Sequence, residues 1–256
     1  MKGMIAITTC VGETYGKVLD FATDINTKFL EHIYVFTNTE TLPKLKCSEH
    51  VNVTVIEHDF SGGIEILETW ERRHNTGASI GHPPPKDKWP QHVENLKKTA
   101  FNRGSAIRAG QTLANEHYPE LPHLIMDSDI VLTEGIADWV QNNDIQLDVL
   151  YSIQERRDYL KCDDYINQKN YIVSPYSGKG FGYFQLTKQP VETYKFYDDW
   201  KHTSKHDCWF RDDIMHKRSN DWKNNKIIIP HHVDHLGQDG VGRYRFNLYD
   251  NNFFDE

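Results

Sequence analysis

The sequence is poor in cysteine, and its cysteines are not spaced as metal ligands or redox partners. Cys10, Cys47, Cys162 and Cys208 are its four cysteines, and no two of them form a C-x-x-C pair. This spacing argues against a zinc ribbon and against a thioredoxin-like redox motif. We expect free thiols in a reducing compartment, where buried cysteines act as small apolar residues.

Long apolar runs are also missing. Residues 1–10 hold one lysine and a short apolar run that glycine and threonine interrupt. A run of this length is too short for a signal peptide and far too short to cross a bilayer. We therefore predict a cytoplasmic protein with no transmembrane segment.

An excess of basic charge is absent as well. The chain has 29 basic and 37 acidic residues, for a net charge of -8. This balance opposes nonspecific attraction to polyanions, so nucleic acid is an unfavoured partner.

No change in composition and no repeat divides the 256 residues, which are enough for one domain with a substantial core.

Strands and helices alternate through the first half of the chain. Apolar and β-branched runs predict strands at residues 3–9, 32–36, 51–56, 123–126 and 130–132. Helical spacing of apolar residues predicts helices at residues 15–30, 92–117 and 134–142. This alternation predicts an α/β fold with a mainly parallel sheet.

The second half has weaker signals. They predict strands at residues 148–152, 182–186 and 226–229, with Pro230 ending the last one, and helices at residues 191–202 and 207–218. Residues 74–91, rich in proline and glycine, predict a long loop. Loops of this length within a domain are often functional, so we expect it to cover a bound substrate.

The pair Asp127 and Asp129 is the strongest chemical signal. Four apolar residues precede it and three follow it, whereas a solvated acidic turn rarely lies between two buried runs. Two nearby carboxylates repel each other, and a hard cation such as Mg²⁺ or Mn²⁺ relieves that repulsion while leaving positions for phosphate oxygens. The pair also follows a strand, at the sheet edge where ligands bind in open α/β folds.

Histidines near the carboxyl terminus offer a further ligand. His231, His232 and His235 precede a glycine-rich segment, and His235 is the first candidate to share a metal with the aspartates. A separate zinc site is the rival interpretation, but the three histidines lack the H-E-x-x-H spacing. Histidines at a surface turn remain the alternative for His231 and His232.

Taken in order, these features resemble the A-type (GT-A) glycosyltransferases. The matching segments are Ile5-Ala6-Ile7-Thr8-Thr9, Asn102-Arg103-Gly104, Leu124-Ile125-Met126-Asp127-Ser128-Asp129, Gly180-Phe181-Gly182-Tyr183-Phe184, His206-Asp207 with Arg211, and His235-Leu236-Gly237. The resemblance implies a single domain with a nucleotide-sugar-binding half, residues 1–132, and an acceptor half, residues 133–256. It also implies Mn²⁺ or Mg²⁺, a UDP- or GDP-sugar donor, and a glycan or other hydroxyl acceptor.

The resemblance further assigns roles to individual residues. Thr8, Thr9, Asp59 and Ser128 would lie at the nucleotide, Arg103 at the diphosphate, Asp127 at the ribose and metal, and Asp129 and His235 at the metal. Asp207 would be the base of an inverting transfer, with Asp212 or Asp213 as the fallback, because His206 stands where inverting members usually carry an acid. Capping of the following helix is the other role open to Asp207.

Two further readings remain open. One is a noncatalytic protein that binds a nucleotide sugar or carbohydrate, and the other is a metal-dependent nucleotidyltransferase or phosphohydrolase. Aromatic rings can stack on sugar faces, and Tyr183 and Trp209 are the candidates, although core packing is the commoner role of such residues.

Overall fold

The fold is seen in a computed structural model, which describes residues 3–60, 103–175, 183–190, 226–237 and 253–254. The predicted loop at residues 74–91 and the predicted helices at residues 191–202 and 207–218 lie outside these ranges. So do the amino-terminal part of the predicted helix at residues 92–117 and the four residues Asp207, Trp209, Asp212 and Asp213.

The first half alternates strands and helices as the sequence predicts. In chain order its elements are β1 (Ile5–Cys10), α1 (Glu13–Asn26), β2 (His32–Thr37), β3 (Val53–Glu57), α2 (Arg103–His117), β4 (His123–Met126), β5 (Ile130–Val131) and α3 (Glu134–Asn142). All six residues of β1 are buried, because parallel strands flank it on both sides and helices cover both faces.

The second half adds longer strands than the sequence predicts. Its elements are β6 (Leu150–Tyr159), α4 (Cys162–Ile166), β7 (Ile172–Pro175), β8 (Phe184–Thr187) and β9 (Lys226–Leu236). The prediction that β6 ends at Ser152 is wrong, because the strand continues through the four charged residues 155–158 to Tyr159. The sequence also gave no prediction of α4 or β7.

One sheet joins strands from both halves. Within the described residues its order is β3-β2-β1-β4-β8-β6-β9-β5, with β7 paired to β6. The neighbours β3, β2, β1 and β4 are parallel, as are β6 and β9, whereas β8 runs antiparallel to β4 and β6. This sheet, parallel from β3 to β4 and flanked by helices, confirms the predicted α/β fold class. The proposed division at residue 132 stays a prediction.

The last strand passes through Pro230, so the prediction that proline ends it is wrong. Pairing between β6 and β9 runs in register to Ile153 and Ile229 and resumes at Glu155 and His232. Two residues of β9 therefore face one residue of β6, which is a bulge. A proline lacks the N–H group that a regular ladder requires, and a bulge is one of the places where a strand tolerates it. The bulge lets β9 continue to Leu236.

The core lies on both faces of the sheet because β1 alternates its side chains. Ile5 and Ile7 pack with Ala106 and Ile107 of α2. Residues on the other face, including Ala6 and Cys10, join a cluster that contains buried residues of α1 and α3. Among the described helices, none is long and apolar enough to cross a membrane.

Close packing of α2 on the sheet depends on Gly110. A Cβ atom added there would lie 2.5 Å from Cγ2 of Ile7 and 2.8 Å from Cε2 of Phe36. Both neighbours are fully or almost fully buried and have little room to move.

We predict that Gly110→Ala destabilises the protein by roughly 1–3 kcal/mol, the usual effect of overpacking a core. This range is the net loss, because contacts at 2.5 and 2.8 Å outweigh the ~1 kcal/mol that alanine gains over glycine in a helix. Urea unfolding measures the effect, and Thr112→Ala, at an exposed position of the same helix, is the control. A Gly110→Ala protein as stable as the wild type would contradict the packing.

His123 makes stability depend on pH. It is buried at the start of β4, and burial lowers its pKa from 6.5 to about 4, against an opposing hydrogen bond to the Tyr118 backbone. Between these values the unfolded chain binds the proton more readily than the folded chain. The stabilisation is therefore fully present above pH 6.5 and is lost as the pH falls toward 4.

We predict that this histidine contributes about 3 kcal/mol to the change in unfolding free energy across that window. His123→Gln should remove this part of the pH dependence, whatever its effect on stability at neutral pH. Chemical denaturation of both proteins from pH 4 to 8 measures it. Parallel stability curves for the two proteins would show that His123 does not titrate in this way.

Candidate active site

The acidic pair forms a tight turn at the carboxyl end of β4. The amide of Ile130 lies 3.4 Å from the carbonyl oxygen of Asp127, which closes a four-residue turn with Ser128 and Asp129 at its centre. The amide of Asp127 also donates to the carbonyl of Tyr183 at 3.3 Å. The turn is thus tied to the strand beside it, at the sheet edge where the sequence predicted a ligand site.

A buried asparagine of α1 holds the residues that follow the turn. The Nδ2 atom of Asn26 donates to the carbonyl of Ile130 at 2.8 Å, and its Oδ1 atom accepts from the amide of Leu132 at 2.8 Å. Asn26 is 1% exposed, so water does not compete for these bonds. The sequence gives no sign of this role, since a polar residue in a helix carries no pattern that identifies a partner a hundred residues away.

The first aspartate pairs with an arginine of α2. The Nη2 atom of Arg103 lies 2.5 Å from Oδ1 of Asp127, with the two side chains 7% and 17% exposed. The structure thus brings these two predicted site residues together, while their roles at the diphosphate, ribose and metal stay predictions. A guanidinium held here by a carboxylate has a geometry that suits phosphate oxygens.

The second aspartate faces His235. The Nε2 atom of His235 lies 3.4 Å from Oδ2 of Asp129, and its Nδ1 atom lies 2.8 Å from Oδ1 of Asp158. Strand pairing creates this arrangement, because β9 lies between β5 and β6 and places His235 opposite both Ile130 and Asp158. His235 lies near the buried end of β9, beyond the point at which the sequence predicted that this strand ends.

The two carboxylates control the charge of this histidine. Burial by itself would lower the pKa of His235, but the charge of Asp129 and contacts with Asp129 and Asp158 outweigh burial and raise it to about 9. The imidazole is therefore protonated at neutral pH when no other cation lies beside it. A divalent cation at Nε2 would replace that proton.

Asp158 and Arg156 were missed by the sequence analysis. The Nε atom of Arg156 lies 2.7 Å from Oδ1 of Asp158, and both side chains are almost fully buried. The run Glu155-Arg156-Arg157-Asp158 resembles a solvated segment, yet burial alternates along it. All four residues are charged, so the sequence itself carries no alternation that could mark the buried positions.

Part of the expected metal site fits these positions. Within the described part of the chain, no group of three histidine, cysteine or acidic side chains is arranged to hold a metal ion. Asp129 and His235 do face each other, whereas Asp127 is engaged by Arg103. Mg²⁺ and Mn²⁺ sites commonly use one or two protein ligands and complete their shell with substrate phosphates and water. Asp129 and His235 fit that smaller ligand set.

The remaining predicted nucleotide residues lie at or near the same sheet edge. Thr8 is fully buried within β1, Thr9 is 7% exposed, and Ser128 is 8% exposed. Asp59 is exposed just beyond the end of β3. Ser128 lies within hydrogen-bonding reach of the Cys10 thiol, whose pKa is raised by burial. The nucleotide-binding roles of these residues stay predictions.

Tyr183, a candidate for sugar stacking, packs against a charged side chain. The guanidinium carbon of Arg156 lies 4.7 Å from the centre of the Tyr183 ring. One face of the ring is therefore occupied by a cation. A stacking role for Tyr183 stays a prediction.

Comparison with solved structures finds distant similarities. One is a Bacillus anthracis structure, in complex with a sucrose, that is described provisionally as a glucose-1-phosphate thymidylyltransferase. Its sequence is 9% identical and its TM-score is 0.40, and the match covers 98% of this chain and 97% of that chain. The glycosyltransferase GlyE of Streptococcus pneumoniae TIGR4 is 12% identical with a TM-score of 0.33, over 89% of this chain and 45% of GlyE. No protein-family model and no curated protein matches the sequence. Similarity at this level assigns no activity, so the chemistry has to follow from the site itself.

We predict that Asn26→Ala destabilises the protein by roughly 2–4 kcal/mol, because it leaves a buried carbonyl and a buried amide without their partner. Asn142→Ala is the matched control, since that side chain also bonds to backbone, at Asp138, but in an exposed position. Urea unfolding of the two variants compares them. Equal losses of unfolding free energy in the two variants would show that the hydrogen bonds of Asn26 to Ile130 and Leu132 do not stabilise the protein.

Proposed function

We propose that this protein is a metal-dependent glycosyltransferase that moves a sugar from a nucleotide-diphosphate sugar to an acceptor hydroxyl. The observation that carries the proposal is the meeting of three features at one sheet edge: the turn at Asp127 and Asp129, the guanidinium of Arg103, and the imidazole of His235. A bound diphosphate requires a metal ion, which the acidic side chains can hold, and a positively charged side chain, which Arg103 provides.

Each residue has a distinct task in this proposal. Arg103 binds the diphosphate, and Asp127 orients the guanidinium and approaches the ribose. Asp129 and His235 hold Mn²⁺ or Mg²⁺. The bound ion would neutralise charge that develops on the leaving diphosphate. Burial of these side chains strengthens every charge interaction, because little water screens them.

The acceptor is activated by a carboxylate. Asp207 is the proposed base, taken from the resemblance of the His206-Asp207 segment to inverting A-type enzymes, with Asp212 or Asp213 as the fallback. It would remove the proton of the acceptor hydroxyl while that oxygen attacks the sugar carbon opposite the leaving diphosphate. A single displacement of this kind inverts the anomeric configuration.

The alternatives make different products. A nucleotidyltransferase releases pyrophosphate or consumes it, whereas a glycosyltransferase releases a nucleoside diphosphate. A noncatalytic binding protein releases neither, even with Mn²⁺ and donor present. Incubation with a panel of UDP- and GDP-sugars, with and without added pyrophosphate, followed by analysis of the phosphates and nucleotides that are formed, separates the three.

We predict that UDP or GDP binds more tightly with Mn²⁺ than with a chelator, and that Asp129→Asn removes most of this gain. Affinity should fall roughly tenfold or more, since a contact between charged groups contributes about 1.5–3 kcal/mol. Isothermal titration calorimetry measures it. Asp138→Asn, at an exposed carboxylate of α3, is the control.

Diphosphate affinity that is indifferent to a chelator, or equal in the Asp129 and Asp138 variants, would overturn the metal half of the proposal. Thermal unfolding of each variant, compared at the same pH, shows that the fold is intact.

We predict that Asp207→Asn keeps donor and metal binding while transfer falls by about 10²–10⁴-fold, the usual effect of losing a general base. Calorimetry and single-turnover kinetics measure the two properties separately. Normal turnover by this variant, or a product that keeps the donor's anomeric configuration, would refute the assignment and direct the test to Asp212 and Asp213.

A further inference from the structure

His235 is contacted by a carboxylate on each side, and the two sides differ. Asp129 lies 3.4 Å from Nε2, on the side of the acidic turn. Asp158 lies 2.8 Å from Nδ1, on the side of β6, where it is the direct cross-strand neighbour of His235. Only the Nε2 side faces the proposed cation position.

Asp158 is held firmly by groups other than the histidine. Arg156 contacts both of its oxygens, with Nε at 2.7 Å and Nη2 at 3.2 Å. The hydroxyl of Ser174, on β7, donates to Oδ2 at 2.8 Å. The carboxylate is 1% exposed, so its orientation is set by these partners and not by solvent.

The charge of Asp158 decides what it can do for the histidine. The oxygens of Asp158 lie beside the guanidinium of Arg156 and accept from the hydroxyl of Ser174, and a cation and a donor in these positions favour the ionised carboxylate. An ionised carboxylate only accepts hydrogen bonds. Asp158 lies 2.8 Å from Nδ1, whereas Asp129 lies 3.4 Å from Nε2, so the shorter contact places the proton of a neutral imidazole on Nδ1 and leaves the lone pair on Nε2.

We propose that Asp158 is a positioning residue, which fixes His235 in the Nδ1-protonated form and directs the Nε2 lone pair toward Asp129. Histidines that bind metals are commonly oriented by a carboxylate in this way, and loss of that carboxylate typically weakens metal affinity about 10–100-fold. The role in cation binding rests on the proposed function, but the protonation pattern of the imidazole does not.

The first test needs no variant and no metal. Long-range ¹H–¹⁵N spectra of the metal-free protein at pH 10, above the pKa of about 9, identify which nitrogen of His235 carries the proton. His235→Gln assigns the signal. We expect Nδ1 to be protonated and Nε2 to be free of a proton. A proton on Nε2 would overturn the proposal outright.

The second test compares two neighbouring buried carboxylates. Mn²⁺ binding at constant pH is followed by the electron paramagnetic resonance of the free ion. Asp158→Asn should weaken it by about 10–100-fold. Asp234→Asn is the matched control, since Asp234 is also buried and adjoins His235 on β9, but successive strand residues point to opposite faces. Its Mn²⁺ affinity should equal that of the wild type.

The two tests separate the two proposals. Wild-type protein that binds no Mn²⁺ would refute the cation role together with the metal-dependent function, while the spectra still decide the role of Asp158 in orienting the imidazole. Normal Mn²⁺ binding by Asp158→Asn, or an equal loss in Asp234→Asn, would overturn the positioning role alone. If Asp158→Asn does not fold, Ser174→Ala is a milder variant, because it removes a single partner of Asp158. Unchanged His235 spectra together with unchanged Mn²⁺ affinity in Ser174→Ala would count against the proposal.

Discussion

The site depends on the pairing of buried carboxylates with buried cations at the end of β4. Asp129 and Asp158 are almost fully buried, and so are His235, Arg156 and Arg103, which neutralise this acidic region. A buried charge without a partner is strongly destabilising, whereas a satisfied network tolerates burial. The acidic turn can therefore be buried and fixed in position only when β4, β5, β6 and β9 are assembled in the sheet.

The fold meets this requirement by joining its two halves in one sheet. The parallel half brings the acidic turn to the carboxyl end of β4, and α2 supplies Arg103 beside it. The antiparallel pairing of β5 with β9 then places His235 next to the residue that follows Asp129. The bulge at Pro230 accommodates the proline, so that β9 continues past it and reaches His235.

The sequence was sufficient for the parallel half and for the acidic turn, because both leave local signals. Alternating apolar runs mark the strands, and two aspartates between buried runs mark the turn. The sequence was not sufficient for Asp158 and Asn26, whose roles come from partners far along the chain. Four consecutive charged residues, 155–158, carry no sign of a buried strand, and Pro230 predicted an end where the strand in fact continues. The predicted base Asp207 lies outside the described residues and stays a prediction.

The most direct test of the account is the position of a cation when a diphosphate is bound. Crystals grown with Mn²⁺ and UDP or GDP can be measured at the manganese absorption edge, where anomalous scattering locates the ion. The account predicts a peak about 2.1 Å from both a carboxylate oxygen of Asp129 and Nε2 of His235, with the diphosphate beside Arg103. A bound diphosphate with no manganese peak, or with a peak that contacts neither residue, would contradict it.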